Sequence, residues 1–355
     1  MPIDKKHVKG RGTTEQVPNR FLQRSYAVVH LEGVDAVEEE DRSTRFLPTH
    51  PRTIINKVDS ADLPFSWSMN PYQGCEHGCS YCYARPTHEY WGYSAGLDFE
   101  RIILVKRNAP ELFQARLRDG RWSGEPVNIS GVTDPYQPRE RVERLTRRIL
   151  EIALNHGQPI QLITKNALIL RDLDILGRMA EQRLVHVAIS LTTLNEDLRR
   201  VLEPRTSAGQ KRLQAIGELS SAGIPVMATL APVIPALNQP EIPVLLKSAA
   251  EAGARGASYT VLRTNGAVKP VFEEWLHRNF PDRAAKVMAQ TAELHGGAMH
   301  DTRVGRRMRG EGNHAATLAR LFKVLHARYF QGRSMPPLDR SRFHVPLHGQ
   351  LDLFN

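Results

Sequence analysis

Cys75, Cys79 and Cys82 are the only cysteines in this 355-residue sequence, and they fall within eight positions, spaced C-x3-C-x2-C. Thiolates are soft ligands that select zinc, copper(I) or iron–sulfur clusters. Three of them this close in the chain can wrap one compact metal centre but cannot complete a four-ligand site. A 4Fe–4S cube normally takes four cysteines; held by three, it keeps one iron open for a substrate or cofactor. The other readings are weaker. A structural zinc site needs four ligands, and His77 lies between two of the cysteines, where a short loop would strain to deliver it. A disulfide would leave an odd cysteine and is rare in a reducing compartment. Inert core cysteines do not cluster among glycines and polar residues.

The run Asn70-Pro71-Tyr72-Gln73-Gly74-Cys75, continued through Cys79, Tyr81 and Cys82 to Arg85, resembles the cysteine loop of the radical S-adenosylmethionine (SAM) superfamily. Tyr81 is the aromatic residue which that pattern places just before the last cysteine. The resemblance implies a 4Fe–4S cluster on Cys75, Cys79 and Cys82, with SAM chelated to the open iron. It implies an enzyme, lyase or transferase-like, that cleaves SAM to methionine and a 5′-deoxyadenosyl radical. It also implies an electron donor such as flavodoxin or ferredoxin. In such a system the cofactor does the hard chemistry and the protein positions and shields it.

The elements that must hold this loop follow from periodicity. Residues 65–70 alternate apolar and polar, the period of a strand, and lead directly into the cysteines. Residues 101–106 are a further β-rich run, and 109–118 read as a helix with Pro110 near its first turn. From Glu125 the chain alternates, with strands at 127–130, 160–163, 185–191, 226–233 and 257–262. Amphipathic helices at 139–156, 168–182, 210–222 and 241–252 lie between them, several stopped by a glycine. Such alternation means parallel βαβ units. Counting the strand before the cysteines gives six, too few for a closed eight-stranded barrel. The expected fold is α/β, the partial (β/α)6 TIM-like barrel that the resemblance implies; a doubly wound sheet is the alternative. In either, ligands gather at the C-terminal ends of the strands.

Those ends carry the remaining candidates. After the second strand stand Gly131, Thr133 and Asp134, where the resemblance places the site for the SAM amino group. The family's glycine-glycine-glutamate motif is missing there, so Thr133 and Asp134 are expected to supply the acceptors. Ser190 matches a fourth-strand serine that contacts ribose or carboxylate. Lys165 and Arg205 are candidates for the SAM carboxylate, because a fork of donors suits that group. The segments 133–138, 163–165 and 202–205, with the cysteine loop, are similar to the spore photoproduct lyase-like branch of the superfamily. Those lyases repair a thymine dimer in DNA and carry a further cysteine that returns a hydrogen atom. This chain has no fourth cysteine, so a tyrosine takes that role or the reaction differs.

The net charge is +10, and ten Lys/Arg against Glu311 and Asp339 place +8 of it between Arg303 and Arg342. Such a segment suits a polyanion, and DNA is the expected partner. Helices at 280–295 and 313–330 flank glycine-rich basic loops that read as a lid or a phosphate-contacting loop. The last residues, Gln350-Leu351-Asp352-Leu353-Phe354, resemble the peptide by which bacterial repair and replication proteins grip the DNA polymerase sliding clamp. Four segments are expected: an irregular arm (1–60), the barrel (61–270), a helical basic extension (271–345) and a tail (346–355). No apolar run approaches the ~20 residues that span a bilayer, and the N-terminus lacks a signal-like apolar core. A cytoplasmic location and no membrane partner are expected. The alternatives are a radical SAM enzyme acting on RNA, a protein side chain or a small molecule, and a non-catalytic iron–sulfur or zinc protein that binds nucleic acid.

Overall fold

Ten strands form in the computed structural model, which describes residues 10–22 and 43–346. They are β1 (Arg45–Thr49), β2 (Ile55–Lys57), β3 (Trp67–Met69), β4 (Tyr72–Gln73), β5 (Ile102–Lys106), β6 (Val127–Ile129), β7 (Ile160–Thr164), β8 (Val185–Ser190), β9 (Val226–Val233) and β10 (Gly256–Val261). Six of them, β3 and β6 to β10, run parallel and lie side by side in chain order, with β2 antiparallel at the edge beside β3. A doubly wound sheet would reverse its strand order at a switch point; this order never reverses, so the sheet is the partial barrel.

The helices are α1 (Asp98–Arg101), α2 (Ala109–Leu117), α3 (Glu140–Glu143), α4 (Leu145–Asn155), α5 (Leu173–Glu181), α6 (Glu196–Leu202), α7 (Gly209–Ser221), α8 (Ile242–Glu251), α9 (Val268–Asn279), α10 (Pro281–Leu294) and α11 (Gly312–Tyr329). The core lies between them and the sheet. Val127, Ile129, Ile160, Leu162, Val187 and Ala228 meet Ile149 of α4, Met179 of α5, Ile216 of α7 and Leu246 of α8, all of them buried. Each such side chain stabilises the fold by about 1.5–3 kcal/mol. Strand pleating sends the intervening residues to the barrel interior. There Ser68, Asn128, Gln161 and His186 stand in register across four neighbouring strands.

Several elements differ from expectation for local reasons. The helix expected over 139–156 breaks at Arg144, whose φ is +51°. The Glu140 carboxylate turns back and accepts from the Leu145 and Thr146 amides, each at 3.1 Å, so α4 starts afresh beneath it. Helix α9 opens the extension expected to be helical from 271, although no helix was placed there individually; Pro270 sits in its first turn, where a missing N–H costs nothing. The arm expected to be irregular contains β1 and β2. Strand β1 is an edge of a small second sheet, in the order β1-β5-β4, where Pro48 is tolerated. Residues near Arg11 do pack as an arm: Arg11 is buried and donates to the Glu100 carbonyl at 2.6 Å.

The C-terminal extension closes the molecule in two places. The Met308 carbonyl accepts from the Val261 amide at 3.0 Å, at the free edge of β10. Next to it Arg307 reaches Asp62 at 2.6 Å, ahead of β3, and Gly305 donates to the same carboxylate. The loop expected to be a flexible basic lid is therefore a seam between the first and last barrel strands. Beyond α11, residues 333–344 cross the opposite end of the barrel. Arg333 donates to the Ala250 and Ala254 carbonyls, Pro336 meets His186, Asp339 pairs with Arg183, and the His344 amide donates to His156. These contacts thin the expected polyanion site. Arg303 and Arg306 pair with Asp301, Arg342 lies 3.7 Å from Asp339, and Arg309 sits over Tyr259. On α11, Arg320, Lys323 and Arg328 stay exposed. The clamp-like peptide at 350–354 lies outside the described residues. Among those described, no helix is long and apolar enough to cross a membrane.

Candidate active site

The cysteine loop leaves the C-terminal end of β3 and is fastened from below. Asn70 accepts from the amides of Val132 and Thr133, both at 3.0 Å, locking the loop after β6 to the first strand. Gly74 turns the chain at φ +79°, where a Cβ would lie 2.6 Å from the Ile102 carbonyl. Arg85, fully buried, donates to the Cys79 carbonyl through Nη2 (2.8 Å) and Nε (3.1 Å), and to the Ala95 and Gly96 carbonyls. It is ion-paired with Glu100, which also accepts from the Gly12 amide of the arm.

All three cysteines are free thiols, Cys75 and Cys79 buried and Cys82 half-buried. Burial pushes the Cys79 thiol well up, and Glu203 and the other two cysteines add to it. Cys82 is raised by burial and by Cys75. Thiols that oppose one another's ionisation in this way are near neighbours, and a cationic centre beside them would relieve them. His77 lies against Cys75 but has other partners. Its Nδ1 lies 3.3 Å from Asp134, and its Nε2 faces the Asn166 amide nitrogen at 3.3 Å. Among the described residues no three His, Cys, Asp or Glu side chains converge on a single-ion position. By the chemistry of the donor set, three thiols of one short loop suit an iron–sulfur cluster, which soft thiolates select.

The strand ends sort the other candidates. Tyr81 is buried against the loop, its phenol donating to Glu203. The Lys165 ammonium stands 5.9 Å from the centre of the Tyr81 ring and, among the described residues, has no hydrogen bond or ion pair. Ser190 is buried at the end of β8, where its carbonyl accepts from Arg212 at 3.0 Å. Gly131 carries the carbonyl to which the Tyr83 phenol donates. Thr133 donates to the Tyr72 carbonyl at 3.3 Å. Asp134 accepts from Thr164 Oγ1 and the Lys165 amide at 2.7 Å, from the Tyr136 amide at 2.9 Å, and meets His77. Burial works against its charge, yet His77 and Thr164 hold it below the usual carboxylate range. Asp134 is thus a fully engaged brace, which leaves it no lone pair for an amino group. Arg205 does not join Lys165: it lies 3.3 Å from Thr44 and 3.9 Å from Glu76, on the side of the arm.

Sequence reasoning gave Asn70, Arg85 and Glu203 no role of their own within the motifs that contain them, and it missed Arg212; no repeating pattern marks any of the four. Glu203 carries a testable consequence. Burial alone would raise its carboxyl, but Arg212, Lys165 and the Tyr81 phenol bring it down to about 2. A carboxyl held lower in the folded state than in the unfolded chain stabilises at neutral pH. That contribution, about 3 kcal/mol, drains away as pH falls from about 4.5 towards about 2. Melting temperature followed between pH 5 and 3 is expected to fall more steeply for the natural protein than for Glu203→Gln, which starts lower at neutral pH. Parallel slopes would remove Glu203 from the account.

Comparison with known proteins agrees with this geometry. The family model of the radical SAM superfamily matches residues 69–249. The chain is 36% identical over 238 residues to an uncharacterized protein of Mycobacterium tuberculosis, covering 66% of this chain and 70% of the other. It is 27% identical over 224 residues to one of Methanocaldococcus jannaschii, covering 63% and 80%. Among solved structures, spore photoproduct lyase complexed with dinucleoside spore photoproduct shares the fold, with a TM-score of 0.58 and 17% identity over 81% of this chain and 80% of that one. A mutant of that lyase with bound AdoMet aligns with a TM-score of 0.57 and 18% identity over the same shares. With three free thiols at the mouth of a partial barrel and the family model spanning half its length, the chain belongs to the radical SAM superfamily, enzymes that use a 4Fe–4S cluster and SAM.

Proposed function

We propose that Cys75, Cys79 and Cys82 hold the cluster and that the enzyme acts on DNA, repairing a lesion or modifying a base. The observation that carries the SAM site is Lys165, a half-buried ammonium without an acceptor beside the cysteine loop. It would take the SAM carboxylate, a charge-assisted contact. Ser190 would face the ribose, and the Gly131 carbonyl, which keeps a second lone pair, would accept from the amino group. When bound, the cluster would supply the reducing electron for SAM cleavage, and a flavodoxin- or ferredoxin-like protein would be its source. Tyr81 and the pairing beneath it keep water from that face.

DNA is favoured by two things. The lyase that shares this fold is complexed with a dinucleoside photoproduct. Arg320, Lys323 and Arg328 also remain exposed on one helix for phosphate contact. An anaerobic assay for 5′-deoxyadenosine tests the reading. With a chemical reductant, SAM cleavage is expected to rise when ultraviolet-damaged DNA is added and to stay at its basal level with undamaged duplex. Equal stimulation by RNA, or none by any nucleic acid, would point to another substrate.

The terminal peptide Gln350–Phe354 is proposed to bind the sliding clamp, with Leu353 and Phe354 as adjacent apolar anchors. A few residues carry most of the energy in such docks. Retention on immobilised clamp is expected to be lost on Phe354→Ala; retention undiminished by that change would dismiss the motif.

A further inference from the structure

Two polar side chains at the barrel mouth have no use in the account so far. Arg263 stands at the end of β10, the last barrel strand. Its guanidinium lies 5.2 Å from the centre of the Tyr83 ring, is half-buried and, among the described residues, has no hydrogen bond or ion pair. Its neighbour Arg307 is neutralised by Asp62 at 2.6 Å. Asp62 also acts on Arg263 from further off, but one carboxylate faces two guanidiniums, so a positive charge is left over at that spot. A guanidinium is a planar fork that matches phosphate oxygens.

Asn128 is the second. It is fully buried on the interior face of β6, and neither its Oδ1 nor its Nδ2 has a hydrogen-bond partner. Native proteins seldom leave a buried amide bare. It lies under Gly131, where a Cβ would meet only Asn128 Nδ2, at 3.9 Å. Tyr83 connects the two positions. It follows Cys82 directly, donates to the Gly131 carbonyl and carries Arg263 on its face. Linked through Tyr83, which follows the last cysteine in the chain, are then a donor–acceptor amide, a half-exposed aromatic ring and a free guanidinium.

We propose that Asn128, Tyr83 and Arg263 form the substrate subsite, one that takes a nucleotide with its base edge towards Asn128 and its phosphate on Arg263. An amide carboxamide pairs in two parallel hydrogen bonds with any base edge that offers a donor beside an acceptor. The ring is a stacking surface that every base can use. A base held this way has left its duplex stack, and the chemistry at the barrel mouth requires that of it. This assignment rests on the DNA reading above and narrows it to one extruded nucleotide.

Equilibrium binding by fluorescence anisotropy tests it, using cluster-loaded protein with SAM present. The probes are a dye-labelled single-stranded oligothymidylate, the same strand with abasic tetrahydrofuran residues, and the same strand with methylphosphonate linkages. Arg263→Gln is expected to weaken oligothymidylate binding about 10-fold and to lower the slope of log affinity against log salt by about 0.7, the loss of one single-strand phosphate contact. It should leave methylphosphonate binding unchanged, and Arg263→Lys should restore the salt slope. Asn128→Leu, close in shape, is expected to weaken binding of the base-bearing strand about 10-fold and leave the abasic strand unaffected. Melting temperatures identify a variant that has not folded; Asn128→Asp and Arg263→Met then replace it with the same expectations. Variants that bind all three probes as the natural protein does would overturn the subsite while leaving the DNA reading standing. A natural protein that binds none of them would remove both.

Discussion

Cys79→Ala is expected to abolish iron–sulfur absorbance after anaerobic reconstitution, and SAM cleavage with it. No substitute ligand is at hand. The chain has no fourth cysteine, and both nitrogens of His77 are engaged by Asp134 and Asn166. The loop cannot slide to offer another donor, because Arg85 grips the Cys79 carbonyl from below. With two thiolates a cube would lose half of its corners to solvent and fall apart on purification. Cys79→Ser is expected to retain a fraction of the iron, since an alkoxide is a harder and poorer partner for iron–sulfur chemistry. Absorbance and 5′-deoxyadenosine formation that survive Cys79→Ala at the natural level would dismiss the assignment of all three cysteines.

Arg85→Ala has the next largest expected effect, on stability. Arg85 and Glu100 are both fully buried. Removing the guanidinium leaves a carboxylate in the interior without its partner, and breaking such a pair costs about 3–5 kcal/mol. The Cys79, Ala95 and Gly96 carbonyls lose their donors in the same step. Denaturant unfolding of the apo-protein is the measurement, with an unchanged m-value as the sign that the unfolded state is the same. The double replacement Arg85→Met with Glu100→Leu is expected to be less damaging than Arg85→Ala alone, because no charge is then stranded. If the single change costs under about 1 kcal/mol, as an exposed pair would, the buried clasp is not what holds the loop.

What could be read in advance was local. The cysteine spacing lies within eight residues, and the barrel strands are short β-rich runs with apolar residues at alternate positions, such as Ile160–Thr164 and Val226–Val233. Both survive any tertiary arrangement. What could not be read depends on partners far away in the chain. The charge count from Arg303 to Arg342 is correct, yet Arg307 answers Asp62, some 245 positions earlier. A sum of charges cannot see such a pairing. Asp134 has the composition of an acceptor at a strand end, but four neighbours had already taken its oxygens. The break at Arg144 follows from where the Glu140 carboxylate points, which no helical periodicity encodes.

Residues 333–344 pass across the ends of the strands remote from the cysteines. Under the proposed reading, a partner held at Pro346 would meet the protein on that side, away from the cysteines that serve the substrate. Under the proposed clamp and DNA readings, such an attachment would raise the effective concentration of the enzyme at DNA beyond what its copy number alone provides.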